Sequence, residues 1–157
     1  GLELVAVFKV GDTLKNMQSK LAASNLVVTP VLIGEPVAAQ PDHQKPYAAI
    51  WINSTRVFQV TLGSIREVQS VMVRLFRYHF TSPEANEIIL ADVSARLVED
   101  FCGDFDLGGT IAYVDVGGAH SDGIGSEWGH VELGNIIYRV ADITVPIVID
   151  DSAALTT

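Results

Sequence analysis

The apolar positions of residues 68–80 fall on both faces of an extended strand. Val71, Val73 and Leu75 lie on one side, and Met72, Phe76, Tyr78 and Phe80 on the other. A strand apolar on both sides predicts a place inside a sheet that is covered on at least one face. The period then changes from two to about four. Ala85, Ile89, Val93, Leu97 and Phe101, joined by Leu90, form a stripe that predicts a helix lying on that sheet. Ser82 is placed as its N-cap and Pro83 as its first helical residue, Glu84 and Glu87 sit where the helix dipole favours anions, and Gly103 stands at its end. Each of the large apolar side chains contributes about 1.5–3 kcal/mol on full burial, so residues 68–101 predict the nucleus of the core.

The rest of the chain is read around that nucleus. Residues 2–10 are apolar and valine-rich, which fits a strand, a helix or a partner-binding arm. Gly11-Asp12 predicts a break and a cap before a short helix over 13–23, built on Leu14, Met17 and Leu21. Residues 26–33 read as a strand that Pro30 demotes to an edge or a bulge. Residues 34–46 hold Pro36, Pro41 and Pro46 and predict a stiff, exposed loop, followed by a strand over 47–52 that contains Trp51. In 53–67, Val57, Val60, Leu62 and Ile65 alternate with polar residues, and Gly63-Ser64 suits a turn. This hairpin is either a flap on the domain or an arm that docks on a neighbour.

Beyond the central helix the pattern predicts an acidic turn over 104–109, a strand over 111–116 and a flexible glycine loop over 117–126. Strands over 127–133 and 136–149 follow, joined at Gly134-Asn135 by a type I′ or II′ turn. In the last strand Ile137, Ala141, Ile143, Val145, Ile147 and Ile149 share a face, with Arg139 the exception; Pro146 predicts that part of it is at an edge or past the paired region. Residues 150–157 read as a flexible tail. The expected fold is α+β: a single mixed, mainly antiparallel sheet with a long central strand and helices packed on one face.

Composition narrows the function classes. The 157 residues suit one domain over 1–157, with 1–11 as an arm of unassigned structure and 151–157 as the tail. Apolar residues make up 48% and charged residues 18%, a globular balance whose low charge favours burial of extra surface in an assembly. No apolar run reaches the roughly 18 residues of a membrane helix, and no signal-peptide pattern is visible. Cys102 is the only cysteine, so no disulfide forms within the chain. The net charge of −9 argues against ordinary nucleic-acid binding, which needs Lys and Arg against phosphates. The charge is also split: residues 1–80 balance at +3 and residues 81–157 at −12.

Candidate chemistry is thin. The glycines of 117–126 lack the Gly-Lys-Ser/Thr ending of a phosphate loop. His120, Asp122 and His130 are near in sequence without a recognised ligand spacing, and a small hydrolase built on them would need a pocket and a poised histidine. His79 reads as a packing residue at a strand end, and no Gly-x-Ser-x-Gly elbow is present. Trp51 or Trp128 could stack on a sugar, although core or interface packing is the commoner role of such a residue.

Two stretches carry a resemblance: Leu107-Gly-Gly-Thr-Ile-Ala-Tyr-Val-Asp-Val-Gly-Gly, and Trp128-Gly-His-Val-Glu with Tyr138-Arg-Val-Ala-Asp-Ile-Thr-Val-Pro-Ile. With the element order over about 12–150, they resemble the tail terminator proteins of long-tailed (siphovirus-type) bacteriophages. Residues 2–10 depart from that pattern, in which the first helix lies nearer the start. The resemblance implies a non-enzymatic virion subunit, without cofactor or metal, that forms a homo-hexameric ring at the head-proximal end of the tail and is assembled in the host cytoplasm. Such a ring caps the tube of major tail tube protein, stops its polymerisation and meets a head–tail connector or neck protein. Genomic DNA passes through its lumen without specific binding, which an acidic wall favours. A neck or head-completion protein is the related alternative, and a small carbohydrate-binding module a more distant one.

A closed ring joins two different surfaces of each subunit, so the charge split predicts complementary contacts. The expected subunit or tube interface comprises Arg56, Phe58, Val60, Leu62, Arg66, Arg74, Arg77, His120, Asp122 and Trp128. At least one of Arg56, Arg66, Arg74 and Arg77 is expected to meet an acid of the C-terminal half on a neighbouring subunit or the tube.

Overall fold

The computed structural model describes residues 10–78, 82–103, 112–116, 118–119 and 121–150. It is an α+β fold with one mixed sheet of six strands and two helices. In chain order the elements are α1 (Val10–Ala23), β1 (Leu32–Ile33), β2 (Tyr47–Thr61), β3 (Ser64–Tyr78), α2 (Pro83–Cys102), β4 (Ala112–Val114), β5 (Gly125–Leu133) and β6 (Ile136–Asp150). The sheet order is β1-β2-β3-β6, and the far side of β6 is shared by β4 near its end and β5 near its start. All pairings are antiparallel except β1 with β2.

β3 is the central strand because the residues on its two faces are both wanted. Val71, Val73 and Leu75 join Ala48, Ile50, Ala141, Ile143, Val145 and Ile147 beneath the helices, where Met17 and Leu21 of α1 and Leu90, Val93, Leu97 and Phe101 of α2 close the core. On the opposite face Phe76, Ala49, Tyr138, Val140 and Leu133 form a smaller cluster at one end of the sheet. The expected helix stripe is nearly right, with Ala85 and Ile89 half-buried and two polar residues, Asn86 and Ser94, buried instead. Asn86 is there for a reason: its side-chain amide donates to the Tyr78 carbonyl at 2.7 Å and ties the helix start to the end of β3. Ser82 occupies the N-cap position but makes no side-chain cap bond; its carbonyl accepts the Asn86 N–H at 2.9 Å.

Several boundaries differ from the sequence reading. α1 begins at Val10, so Gly11-Asp12 lies inside its first turn and neither breaks nor caps it. First-turn N–H groups have no helical partner in any case, so a glycine there costs the helix no hydrogen bond. Residues 26–33 give only the two-residue β1; the preceding segment turns, with Val28 N–H bonded to the Pro46 carbonyl and Val27 and Val31 buried as loop residues. Residues 53–67 are no separate flap, because β2 and β3 run on as fifteen-residue strands to a turn at Leu62-Gly63. The Gly134-Asn135 turn has both residues left-handed, φ 55° and 68°, as a type I′ turn requires.

Pro146 overturns its expected place at an edge: it sits within β6, opposite Ser70. Its carbonyl accepts the Asp115 N–H at 2.9 Å, on the side away from β3. A strand residue's N–H and C=O point the same way, so the missing donor falls in the gap between β4 and β5 and costs the central ladder nothing. The expected acidic turn over 104–109 and tail over 151–157, together with the arm over 1–9, His79 and His120, lie outside the described residues.

Candidate functional site

Both helices pack on one face of the sheet, so the other face is where side chains are free to act. Its first end is closed by the segment between β1 and β2. The Tyr138 hydroxyl accepts the Gln40 N–H and donates to the Gln40 carbonyl, both at 2.8 Å, and the Tyr47 hydroxyl donates to the Pro41 carbonyl at 2.6 Å. Burial, with smaller contributions from Tyr138 and Asp42, raises the Tyr47 hydroxyl above its ordinary pKa. Further along, the face turns polar. Arg74 of β3 forms a two-pronged bond to Asp142 of β6, at 2.8 and 2.9 Å, lies over the Trp51 ring at 5.1 Å and reaches Glu35 at 3.7 Å. The hydrogen bond to Asp142 is the main reason that the guanidinium is raised above its usual pKa, with burial acting against it.

Beyond that pair runs a shallow trough. One part, of about 280 Å³, is lined by Met72, Asp142, Thr144, Glu127 and Asp122. The adjoining part, of about 260 Å³, is lined by Ser54, Arg56, Ser70, Ser121 and Asp122. The loop after β4 makes its rim, and it is pinned where the sequence suggests only glycine freedom. Asp115, 4% exposed, accepts the Ala119 N–H at 3.0 Å and the Ser121 hydroxyl at 2.8 Å, and Ser121 Oγ accepts the Gly123 N–H at 3.1 Å. Gly118 is left-handed at φ 72°, and an added Cβ would crowd the Ser121 carbonyl oxygen at 3.1 Å, so a larger residue there is strained. Replacing Asp115 by Ala is expected to leave the part-buried Ala119 bond unmade and to speed amide exchange at Ala119 by tenfold or more, about 1.4 kcal/mol of local opening. Unchanged exchange at Ala119 and Gly123 would show that the glycines alone set the loop.

The expected interface residues with described side chains separate into three groups. Arg56 and Asp122 are exposed and both line the trough, and Leu62 at the hairpin tip is 98% exposed. Arg74 already meets its acid within the chain; Arg77 is buried and donates to the His43 carbonyl at 3.3 Å. Phe58 and Arg66 are half-buried, and half-buried Trp128 lies beneath the Arg139 guanidinium at 5.6 Å, which is also held by Glu87 at 2.6 Å. Val60 is in β2, its side chain outside the described part, and His120 is outside it altogether.

Of the trough's other lining residues, Ser54, Ser70 and Thr144 are among those that the sequence reading misses. The only signal of Ser70 and Thr144 is a polar residue on a mainly apolar strand, and Ser54, inside the polar run of residues 53–56, has none.

The two described members of the hydrolase constellation, Asp122 and His130, are not brought together. Asp122 lines the open face, whereas His130 stands opposite Arg139, whose side chain reaches Glu87 on the helix side. No group of three or more His, Cys, Asp or Glu suited to a metal exists among the described residues. Trp51 and Trp128 each carry an arginine of the same chain on a ring face, the face a sugar would need. Comparison with models of known protein families finds no match, and neither does comparison with curated proteins.

Proposed function

We propose that the protein is a structural subunit of a closed assembly: a homo-hexameric ring that caps the tail tube of a long-tailed bacteriophage, ends tube growth and offers its other side to a connector or neck protein. The observation that carries the reading is a sheet edge without a neighbouring strand among the described residues. After β1 leaves β2, the outer side of residues 53–61 has no neighbouring strand among the described residues, and Val57 there is 55% exposed. With Leu62 at the tip, this is surface that a free monomer is better without. The second of the two stretches that resemble tail terminators maps onto the β5–β6 hairpin, where Trp128 and Tyr138 pack against the two core clusters. DNA in the lumen, the tube protein and the connector are the partners this role entails, and no catalysis or cofactor belongs to it.

The functional test uses major tail tube protein polymerising in vitro. Added in ring-equivalent amounts, the protein is expected to fix tube length and to appear as one cap at a tube end in electron micrographs. Tubes that lengthen unchecked, with no end density, would refute the terminator role and favour the neck reading.

A further inference from the structure

The open edge has a counterpart at the other side of the same sheet. β5, nine residues long, pairs with β6 alone, so among the described residues its outer side carries no neighbouring strand. We infer that β2 of one copy pairs antiparallel with β5 of the next, joining the six-stranded sheets edge to edge, with Arg56 directly opposite Glu127. The inference rests on the ring reading and supplies its subunit contact.

Hydrogen-bond phase supports this pairing. Gly34 N–H bonds the Ile50 carbonyl at 2.8 Å, so Ile50 faces away from β3. Past the irregularity between Ile52 and Ser54, Ser54, Arg56 and Phe58 pair with Ser70, Val68 and Arg66. The alternation therefore turns the backbone groups of Thr55 and Val57 outward. On β5 the two-residue turn makes Leu133 and Ile136 the first bonded pair. Counting back from it turns Ser126, Trp128, His130 and Glu132 outward. Setting Arg56 opposite Glu127 places Thr55 against Trp128 and Val57 against Ser126, so outward groups meet outward groups.

Side chains agree with the backbone. Arg56 and Glu127 both line the open face, each at its own edge of the sheet, and both are exposed. They would meet as a cross-strand ion pair on that face. Val57 and Trp128 fall on the helix face, where the exposed valine would cover the half-buried indole. Strand direction also fits. β2 and β5 run oppositely within one chain, and rotation about an axis parallel to the strands keeps directions and faces, so neighbours pair antiparallel all round a ring. Residues 53–61 contain no proline or lysine, the residues that natural edges use against such pairing.

The test is disulfide trapping in a Cys102→Ser background. Directly opposed residues of a non-hydrogen-bonded pair have Cα atoms about 4.5 Å apart, within disulfide reach. Arg56→Cys and Glu127→Cys on separate chains are expected to cross-link when mixed and not alone, and both on one chain to give a ladder ending at the ring. Arg56→Glu is expected to weaken assembly at least tenfold in concentration, and adding Glu127→Arg to restore it. A ring that forms without the 56–127 cross-link and ignores both reversals overturns the pairing and leaves the ring reading standing. Cross-linking of Arg56→Cys with itself shows a two-fold β2–β2 contact and overturns it too. A monomer at every concentration overturns both.

Discussion

Leu97→Ala is expected to lower the unfolding free energy by about 2–5 kcal/mol. Leu97 is 1% exposed in the middle of α2, with Val93 and Phe101 beside it on the face that meets β3 and β6. Truncation removes three carbon atoms from a site whose neighbours are held by two layers, so the cavity collapses poorly. At about 2–4 °C per kcal/mol for a chain of this size, the melting temperature should fall by roughly 5–15 °C. Ile88→Ala, on the same helix but 62% exposed, is expected to change stability by no more than about 0.5 kcal/mol. Equal effects of the two substitutions in urea titrations would mean that the helix face is assigned wrongly.

Asp142→Ala should cost about 2–3 kcal/mol, the second large effect. The Arg74–Asp142 pair is neither buried nor free, its side chains 12% and 20% exposed. A fully buried pair loses about 3–5 kcal/mol when one partner goes, and an exposed one about 0–1, so the value lies between. What remains is a guanidinium against the Trp51 ring, with only Glu35 at 3.7 Å to answer its charge. Replacing both partners, as Arg74→Met with Asp142→Leu, removes the stranded charge and is expected to recover most of the loss. A double variant as unstable as Asp142→Ala would show that the cost came from packing rather than from the unpaired arginine.

The long periodic elements were legible from local sequence. β3 and α2 are read from an unbroken period of two followed by one near four, and the β5–β6 turn from Gly134-Asn135, because these signals act between residues a few positions apart. The continuation of β2 through residues 53–61 was not read as one strand with 47–52. Polar residues such as Ser54, Thr55 and Arg56 give no core face there, and only pairing with β3 makes the stretch extended. Pro146 misled for a related reason: its effect depends on which neighbour the missing N–H faces, a property of the sheet order. The site was least visible. Arg74 and Asp142 are 68 positions apart, and nothing local marks either as the other's partner. Asp115 reads as one acid beside a glycine loop until the fold closes the loop around its carboxylate.

The measurement that bears most directly on the ring is the native mass of the purified chain, by mass spectrometry and light scattering over a concentration series. A single closed species of six times 16.9 kDa, unchanged as concentration rises further, is the expected result. A monomer throughout, or masses that climb without a limit, would contradict it.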